Sequence, residues 1–85
     1  MSDLLVNDIR NLIEEVGVDK IKYLLNPKEY KDGLFCFMVD NEYLRCGQAL
    51  IILSKAKGVY STLFNYRDTD KCFKTVFDEV FNENA

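Results

Sequence analysis

The 85-residue chain contains no histidine and no tryptophan, and its four glycines are isolated from one another. Without histidine, the chain lacks the usual general base of enzymes, the commonest metal ligand and any Ser-His or Cys-His nucleophile pair. Isolated glycines exclude a glycine-rich phosphate loop. The adjacent carboxylates of Glu14–Glu15 and Asp78–Glu79 diverge by about 100° around a helix, so we expect them on solvated helix faces, not as facing acid and base. The sequence therefore predicts no catalytic residue, no cofactor and no enzymatic activity.

Cysteine is scarce as well. Cys36, Cys46 and Cys72 are too few and too widely spaced for the usual structural zinc sites, so no metal ligand is predicted. Their odd number, without an export signal, argues against a framework of disulfides. If the chain reverses at residues 40–42, Cys36 and Cys46 face each other on neighbouring strands, where a redox pair is possible. The simpler prediction is that both are reduced and behave as small buried hydrophobic residues.

Long apolar segments are also missing. The longest, Leu34–Val39, has six residues, whereas a membrane-spanning helix needs about 20. The N-terminus has no basic region followed by a long apolar stretch, so we expect neither a signal peptide nor a membrane partner. The expected location is the cytoplasm, of a bacterium or of an infected host cell. Abundant Lys, Asn, Tyr, Phe and Ile fit a bacterial or viral genome of low GC content.

The N-terminal segment has the spacing of an amphipathic helix. Its apolar residues recur at intervals of three and four, which places them on one face: Leu5, Ile9, Leu12, Ile13 and Val16. We expect Ser2 or Asp3 to cap this helix and Gly17 to end it in the left-handed conformation. A short second helix beginning at Asp19 and stopped by Pro27 follows, with a strand as the alternative.

The C-terminal segment predicts a second amphipathic helix. Asp68 or Thr69 is placed to cap it. The apolar positions that follow are Phe73, Val76, Phe77 and Val80. This stripe is expected to pack into the core with Phe77 buried at its centre, whereas Phe81, one turn later, is expected to lie exposed at the rim and to contact a partner.

The middle of the chain favours a small antiparallel sheet. Residues 33–46 read as a hairpin, with Leu34–Val39 as one strand, a reversal at Asp40–Asn41 and Tyr43–Cys46 as the return. Residues 48–57 fit a helix stopped by Gly58, with a strand as the alternative. Residues 59–66 read as a strand that places Tyr60, Phe64 and Tyr66 on one face. The predicted fold is therefore a single α+β domain over residues 1–85, with both terminal helices packed on the sheet.

The charge distribution raises the possibility of nucleic-acid binding. The net charge is only −3, but residues 20–57 hold seven basic and four acidic residues. This basic region, Lys20 to Lys57, could contact phosphates. The predicted contacts are Lys55 and Lys57, together with Arg67 further along the chain, while Tyr60, Phe64 and Tyr66 stack on bases. The signature of an RNA-recognition domain is absent, and the basic excess is small for a nucleic-acid-binding domain. Nucleic-acid binding is therefore the alternative function.

The leading functional prediction is protein binding. Six Phe and five Tyr are many for so short a chain, and some of that aromatic surface is expected outside the core, where it suits a partner or a second copy. The sequence therefore predicts a non-catalytic protein-binding module, such as an inhibitor, adaptor or accessory regulator, possible as a homodimer. A phage-encoded regulator of a host protein fits the size and composition. The predicted contact residues are Tyr60, Phe64, Tyr66 and Phe81.

Overall fold

Every regular element in residues 3–81, the part of the chain that the computed structural model describes, is helical. The α-helices are α1 (Asp3–Val16), α2 (Val18–Leu25), α3 (Leu34–Asp40), α4 (Cys46–Ser54), α5 (Ser61–Phe64) and α6 (Thr69–Phe81), with a 3₁₀ turn at Tyr30–Asp32. The predicted α+β fold is therefore wrong, since the described range contains no strand and no sheet. None of the helices in this range is long and apolar enough to cross a membrane.

Helix α4 lies at the centre of the fold. Its sequence, CGQALIILS, is apolar on nearly every side, so it has no polar face to turn towards solvent. Four of the described helices pack against it: α2, α3, α5 and α6. Helix α1 closes the other side of the core by packing on α2, α5 and α6. The buried apolar residues are Leu5, Ile9, Leu12, Ile21, Leu24, Leu34, Cys46, Ala49, Leu50, Tyr60, Leu63, Cys72, Val76 and Val80.

The hairpin predicted for residues 33–46 is wrong, because its first half forms α3. Leu34 is fully buried and Phe37 packs against the core, so one side of the apolar run faces inward along a helix. The helix ends at Asn41, whose backbone N–H and side-chain Nδ2 both donate to the carbonyl oxygen of Phe37, at 3.0 and 2.9 Å. A short apolar run without clear periodicity fits a strand or a helix equally well, and here the packing against α4 decides.

The strand predicted for residues 59–66 is also wrong, and the reason lies in α1. Ser61–Phe64 forms the short helix α5 instead. Asp8 Oδ2 accepts hydrogen bonds from the backbone N–H groups of Thr62 and Leu63, at 3.0 and 3.1 Å. This carboxylate occupies the place of an N-terminal cap, which the residue before α5 does not supply. Because Asp8 lies 54 positions before Thr62, the local sequence carries no sign of this cap.

The two helices predicted between Asp19 and Pro27 and over residues 48–57 are confirmed, with small changes at their ends. Helix α2 stops before Pro27, and residues 48–57 lie mostly in α4. Helix α4 ends earlier than the predicted stop at Gly58. It ends at Lys55, which adopts the left-handed conformation with a φ of 58° and a ψ of 35°. The Ala56 N–H then donates to the carbonyl oxygen of Ile51 at 3.3 Å, which closes the helix end.

The N-terminal helix is confirmed together with its buried face. Leu5, Ile9 and Leu12 are fully buried in α1, and the two further positions of the stripe pack against the core. The cap predicted at Ser2 or Asp3 falls outside the side chains that the structure describes. Gly17 joins α1 to α2 with a φ of 94° and a ψ of 139°. The positive φ is as predicted, but the left-handed helical conformation is not formed.

The C-terminal helix is confirmed, but its buried face is rotated from the predicted one. Val76 and Val80 are fully buried as predicted, and Cys72 is buried beside them, whereas Phe77 is 37% exposed and is not the centre of the core face. Asp68 Oδ1 accepts the backbone N–H of Lys71 at 3.1 Å and so caps the helix. Helix α6 packs on α1 and α4, and Cys72, Val76 and Val80 form its buried face. Phe73 and Phe77 lie beside that face, because each follows a buried position by one residue.

Glu15 ties the connection between α4 and α5 to the end of α1. Its carboxylate accepts hydrogen bonds from the N–H groups of Lys57 and Gly58, at 2.7 and 3.0 Å, and from the Tyr60 hydroxyl. The hydrogen bond from Tyr60, with that from Lys57, holds the pKa of Glu15 below its usual value. Burial, with the same hydrogen bond, raises the pKa of Tyr60 to about 12. Glu15 lies on an exposed helix face as predicted. The prediction did not include the hydrogen bonds by which its carboxylate holds the loop before α5.

Gly47 sets the distance between α4 and α5, and this contact generates the first prediction. A Cβ at this position would lie 1.8 Å from the carbonyl oxygen of Leu63. Gly47→Ala must therefore push the helices apart, at a cost of about 1–3 kcal/mol or more. The urea midpoint of Gly47→Ala should fall clearly. The free energy of unfolding of the control Ser61→Ala, at an exposed position, should stay within about 0.5 kcal/mol of wild type. A Gly47→Ala variant with a wild-type midpoint would contradict the close packing of these helices.

The Glu15 contacts predict a specific dependence of stability on pH. Because folding lowers the pKa of Glu15, its contribution is present above the ordinary glutamate pKa, 4.5, and is lost as the pH falls through the lower folded value. Glu15→Gln should therefore be less stable than wild type at neutral pH, and the difference should shrink in acid. Glu14→Gln, at the exposed neighbouring position, should unfold like wild type across the range. Urea unfolding at several pH values measures both, and a constant difference for Glu15→Gln would be the wrong result for this account.

Candidate functional site

A groove runs along the surface between α3 and α6. Both helices pack on α2 and α4 but not closely on each other. A gap of about 600 Å³ therefore stays open between them. Its lining residues are Phe35 and Met38 from α3 and Thr69, Asp70, Phe73, Lys74, Phe77 and Asp78 from α6. The walls thus combine four large apolar side chains with charged residues along one edge.

Phe35 joins this groove to two neighbouring depressions. Its side chain is 60% exposed, far more than expected for a phenylalanine that only packs in a core. It borders a depression of about 420 Å³ with Val39 and Leu44, and another of about 300 Å³ with Pro27 and Tyr30. The ring centroids of Tyr30 and Phe35 are 6.5 Å apart. Phe35 lines all three depressions, which therefore adjoin one another, and the two that Met38 also lines present a mainly apolar surface.

The edge of this surface is mainly acidic. Asp70 and Asp78 line the groove from α6, and Glu42 lines the neighbouring depression just after α3. Lys74 is the basic residue of the groove lining, and its Nζ lies 3.5 Å from Asp78 Oδ2. Three carboxylates therefore stand beside the apolar surface against one ammonium group, which favours a ligand with positive charge at its flanks.

The predicted contact residues Tyr60, Phe64, Tyr66 and Phe81 do not form one surface on a strand. Tyr60 is 7% exposed and directs its hydroxyl at Glu15. Phe64 is partly exposed and borders a separate depression near Tyr60, while Tyr66 packs against the core. Phe81 lies half-buried beside Phe77, with their ring centroids 4.5 Å apart. Phe81 thus neighbours the groove, and its predicted role in binding stays a prediction.

The basic residues proposed for nucleic-acid contacts lie in two loops. Lys55 and Lys57 follow α4, and Arg67 lies between α5 and α6. The backbone N–H of Lys57 donates to Glu15 Oε2 at 2.7 Å, so this lysine already has an acidic neighbour. The stacking strand that was to accompany these residues is absent from the described chain. The geometry therefore adds no support to the nucleic-acid prediction.

The cysteines lie in a different arrangement from the predicted cross-strand pair. Cys36 is half-buried on α3, whereas Cys46 and Cys72 are fully buried and adjacent between α4 and α6. The neighbouring Cys72 thiol, with burial, raises the pKa of Cys46. All three are free thiols. In the described part of the chain, no group of three or more His, Cys, Asp or Glu residues is placed to hold a metal ion.

The sequence patterns do not reveal the groove, because they predict other positions for the residues that line it. Phe35 and Met38 are predicted on a strand of the sheet, and Phe73 and Phe77 in the core. The available signal was the number of aromatic residues, which exceeded what a small core needs. Read as a helix, Leu34–Asp40 also has more apolar residues than one buried face can hold, so some must be exposed.

Comparison with known proteins assigns no family to the chain. No protein-family model, no curated protein and no solved structure matches it significantly. The surface around Phe35 is therefore the feature from which a function is inferred.

Proposed function

We propose that the chain is a non-catalytic protein-binding module and that its contact surface is the groove between α3 and α6. The exposure of Phe35, 60%, where the apolar depressions adjoin is the observation that supports this proposal most. Contiguous exposed apolar surface is uncommon on small proteins that act alone, and it marks sites of interaction. An inhibitor, adaptor or accessory regulator acts through binding alone and needs no catalytic group.

The composition of the surface supports a protein ligand. Aromatic residues and methionine are enriched in the centres of protein interfaces, while charged residues are concentrated at their rims. Phe35, Met38 and Phe77 line the groove, and Asp70 and Asp78 line it from the neighbouring row of side chains on α6. An aromatic side chain that fills a partner's pocket contributes more to affinity than its neighbours do. Phe35 is the best placed residue for this role, because most of its ring already faces solvent.

The test compares Phe35→Ala with a matched control. Phe35→Ala removes the centre of the surface, but the exposed ring contributes little to folding, so the free energy of unfolding in urea should change by less than about 1 kcal/mol. Phe64→Ala removes a partly exposed phenylalanine from a different depression. Both variants and the wild type are immobilised and used to capture proteins from a lysate of the cell in which the chain is naturally made. Captured proteins are then quantified by mass spectrometry.

The outcomes separate the surfaces. The proposal requires a protein that wild type and Phe64→Ala capture equally and that Phe35→Ala loses by at least about 10-fold. Capture that depends on Phe64 and not on Phe35 would move the binding surface to the other depression. Sedimentation of the wild type alone identifies a homodimer, and a dimer that Phe35→Ala dissociates would make a second copy the partner.

A further inference from the structure

We infer that the segment of the partner that docks between α3 and α6 is an amphipathic helix with lysine or arginine residues beside its apolar ridge. This inference rests on the proposed function and specifies the secondary structure and the charge of the segment that the partner contributes. It draws on three properties of the groove: the helical backbone of both walls, the spacing of the apolar side chains and the charge at the edge.

The helical walls favour a helix over an extended segment. The backbone groups of α3 and α6 are hydrogen-bonded within their own helices, and the described residues contain no sheet edge. An extended segment laid in the groove would find no backbone ladder to join, so its buried N–H and C=O groups would lack partners. A helix satisfies these groups internally and presents only side chains to the walls.

The spacing of the apolar side chains fits the same ligand. On α6, Phe73 and Phe77 are one helical turn apart, and on α3, Phe35 and Met38 are separated by three positions. Such rows form ridges between which the side chains of a third helix can insert. The groove runs from Thr69 to Asp78 on α6, which is about 14 Å at about 1.5 Å per residue. This length accepts anchors at positions i, i+3 or i+4, and i+7 of a bound helix.

The acidic edge determines the flanks of the helix. The carboxylates of Glu42, Asp70 and Asp78 line the apolar surface and outnumber the ammonium group of Lys74, which is paired with Asp78, so this edge carries a net negative charge. A bound helix with acidic flanks would bring like charges together, whereas lysine or arginine at the flanks would be attracted and steered into place.

The helices α2, α3 and α6 of a second copy do not match this ligand. The lysines of α2 flank Ile21 and Leu24, which are buried in its own core. Helix α3 exposes Phe35 and Val39 but contains no lysine or arginine. Helix α6 does expose Phe77, but it also carries Asp70 and Asp78, so a second α6 would place carboxylates against carboxylates. We therefore assign the occupant to another protein.

A peptide selection tests this inference directly. The probe is a displayed library of helical peptides of about 15 residues, long enough to form a helix on binding. Apolar anchors are fixed at i, i+4 and i+7, and the flanking positions vary among Lys, Glu, Gln and Ala. The wild-type chain is the target. Enriched peptides are synthesised, and their dissociation constants are measured at low and high salt against wild type, Phe35→Ala and a charge variant, Asp70→Asn with Asp78→Asn. Glu14→Gln with Asp19→Asn removes the same charge from exposed positions outside the groove.

The expected result is enrichment of Lys at the flanks. Binding should weaken by about 10-fold or more in Phe35→Ala, and in the groove charge variant, but not in the control pair. The loss at high salt should be smaller for the groove charge variant than for wild type. Enrichment of Glu or neutral flanks, no enrichment, or binding that Phe35→Ala leaves unchanged would overturn the inference. If lysate capture still depends on Phe35 in that case, the groove binds a different kind of segment and the proposed function stands. If neither depends on Phe35, both fail.

Discussion

The apolar sequence of α4, which leaves this helix without a polar face, is the constraint on which the rest of the structure depends. A helix without a polar face must be covered, and α2, α3, α5 and α6 cover it. A fully buried leucine such as Leu50 contributes about 1.5–3 kcal/mol, a large share of the roughly 5–10 kcal/mol expected for a chain of this size. The groove is a consequence of this arrangement, because α3 and α6 each pack on α4 and α2 and do not pack closely on each other.

Two carboxylates of α1 fix the part of the chain that α4 alone does not hold. Asp8 caps α5, and Glu15 binds the loop before it through two backbone N–H groups and the Tyr60 hydroxyl. These contacts keep α5 helical although its sequence resembles a strand. They also place Tyr60 in the core, which removes most of its ring from any binding surface. Polar contacts between distant segments thus decide which aromatic residues face solvent.

The sequence predicted some parts of the fold and not others, for identifiable physical reasons. The terminal helices follow from periodicity and from caps within a few residues, such as Asp68 for α6. For α2 and α4 the sequence favours a helix but leaves a strand as the alternative. Helix α5 depends on Asp8, far away in the chain, and α3 depends on packing against α4. For the site, the surplus of aromatic residues predicted exposed apolar surface, but not its position. The position follows from the face of α6 that packs inward, where Cys72 joins the predicted Val76 and Val80 and the phenylalanines lie to one side.

The central claim is that the space between α3 and α6 is where a partner binds. Met38 lines this space and is one of two methionines in the chain, so its methyl group reports on the groove without any added probe. The direct measurement is the ¹³C-methyl NMR signal of Met38, assigned with Met38→Leu, during titration with the protein captured by the wild-type chain. A saturable shift of that signal is the predicted result. An unchanged Met38 signal at saturating partner would contradict the claim, because the partner would then occupy a different surface.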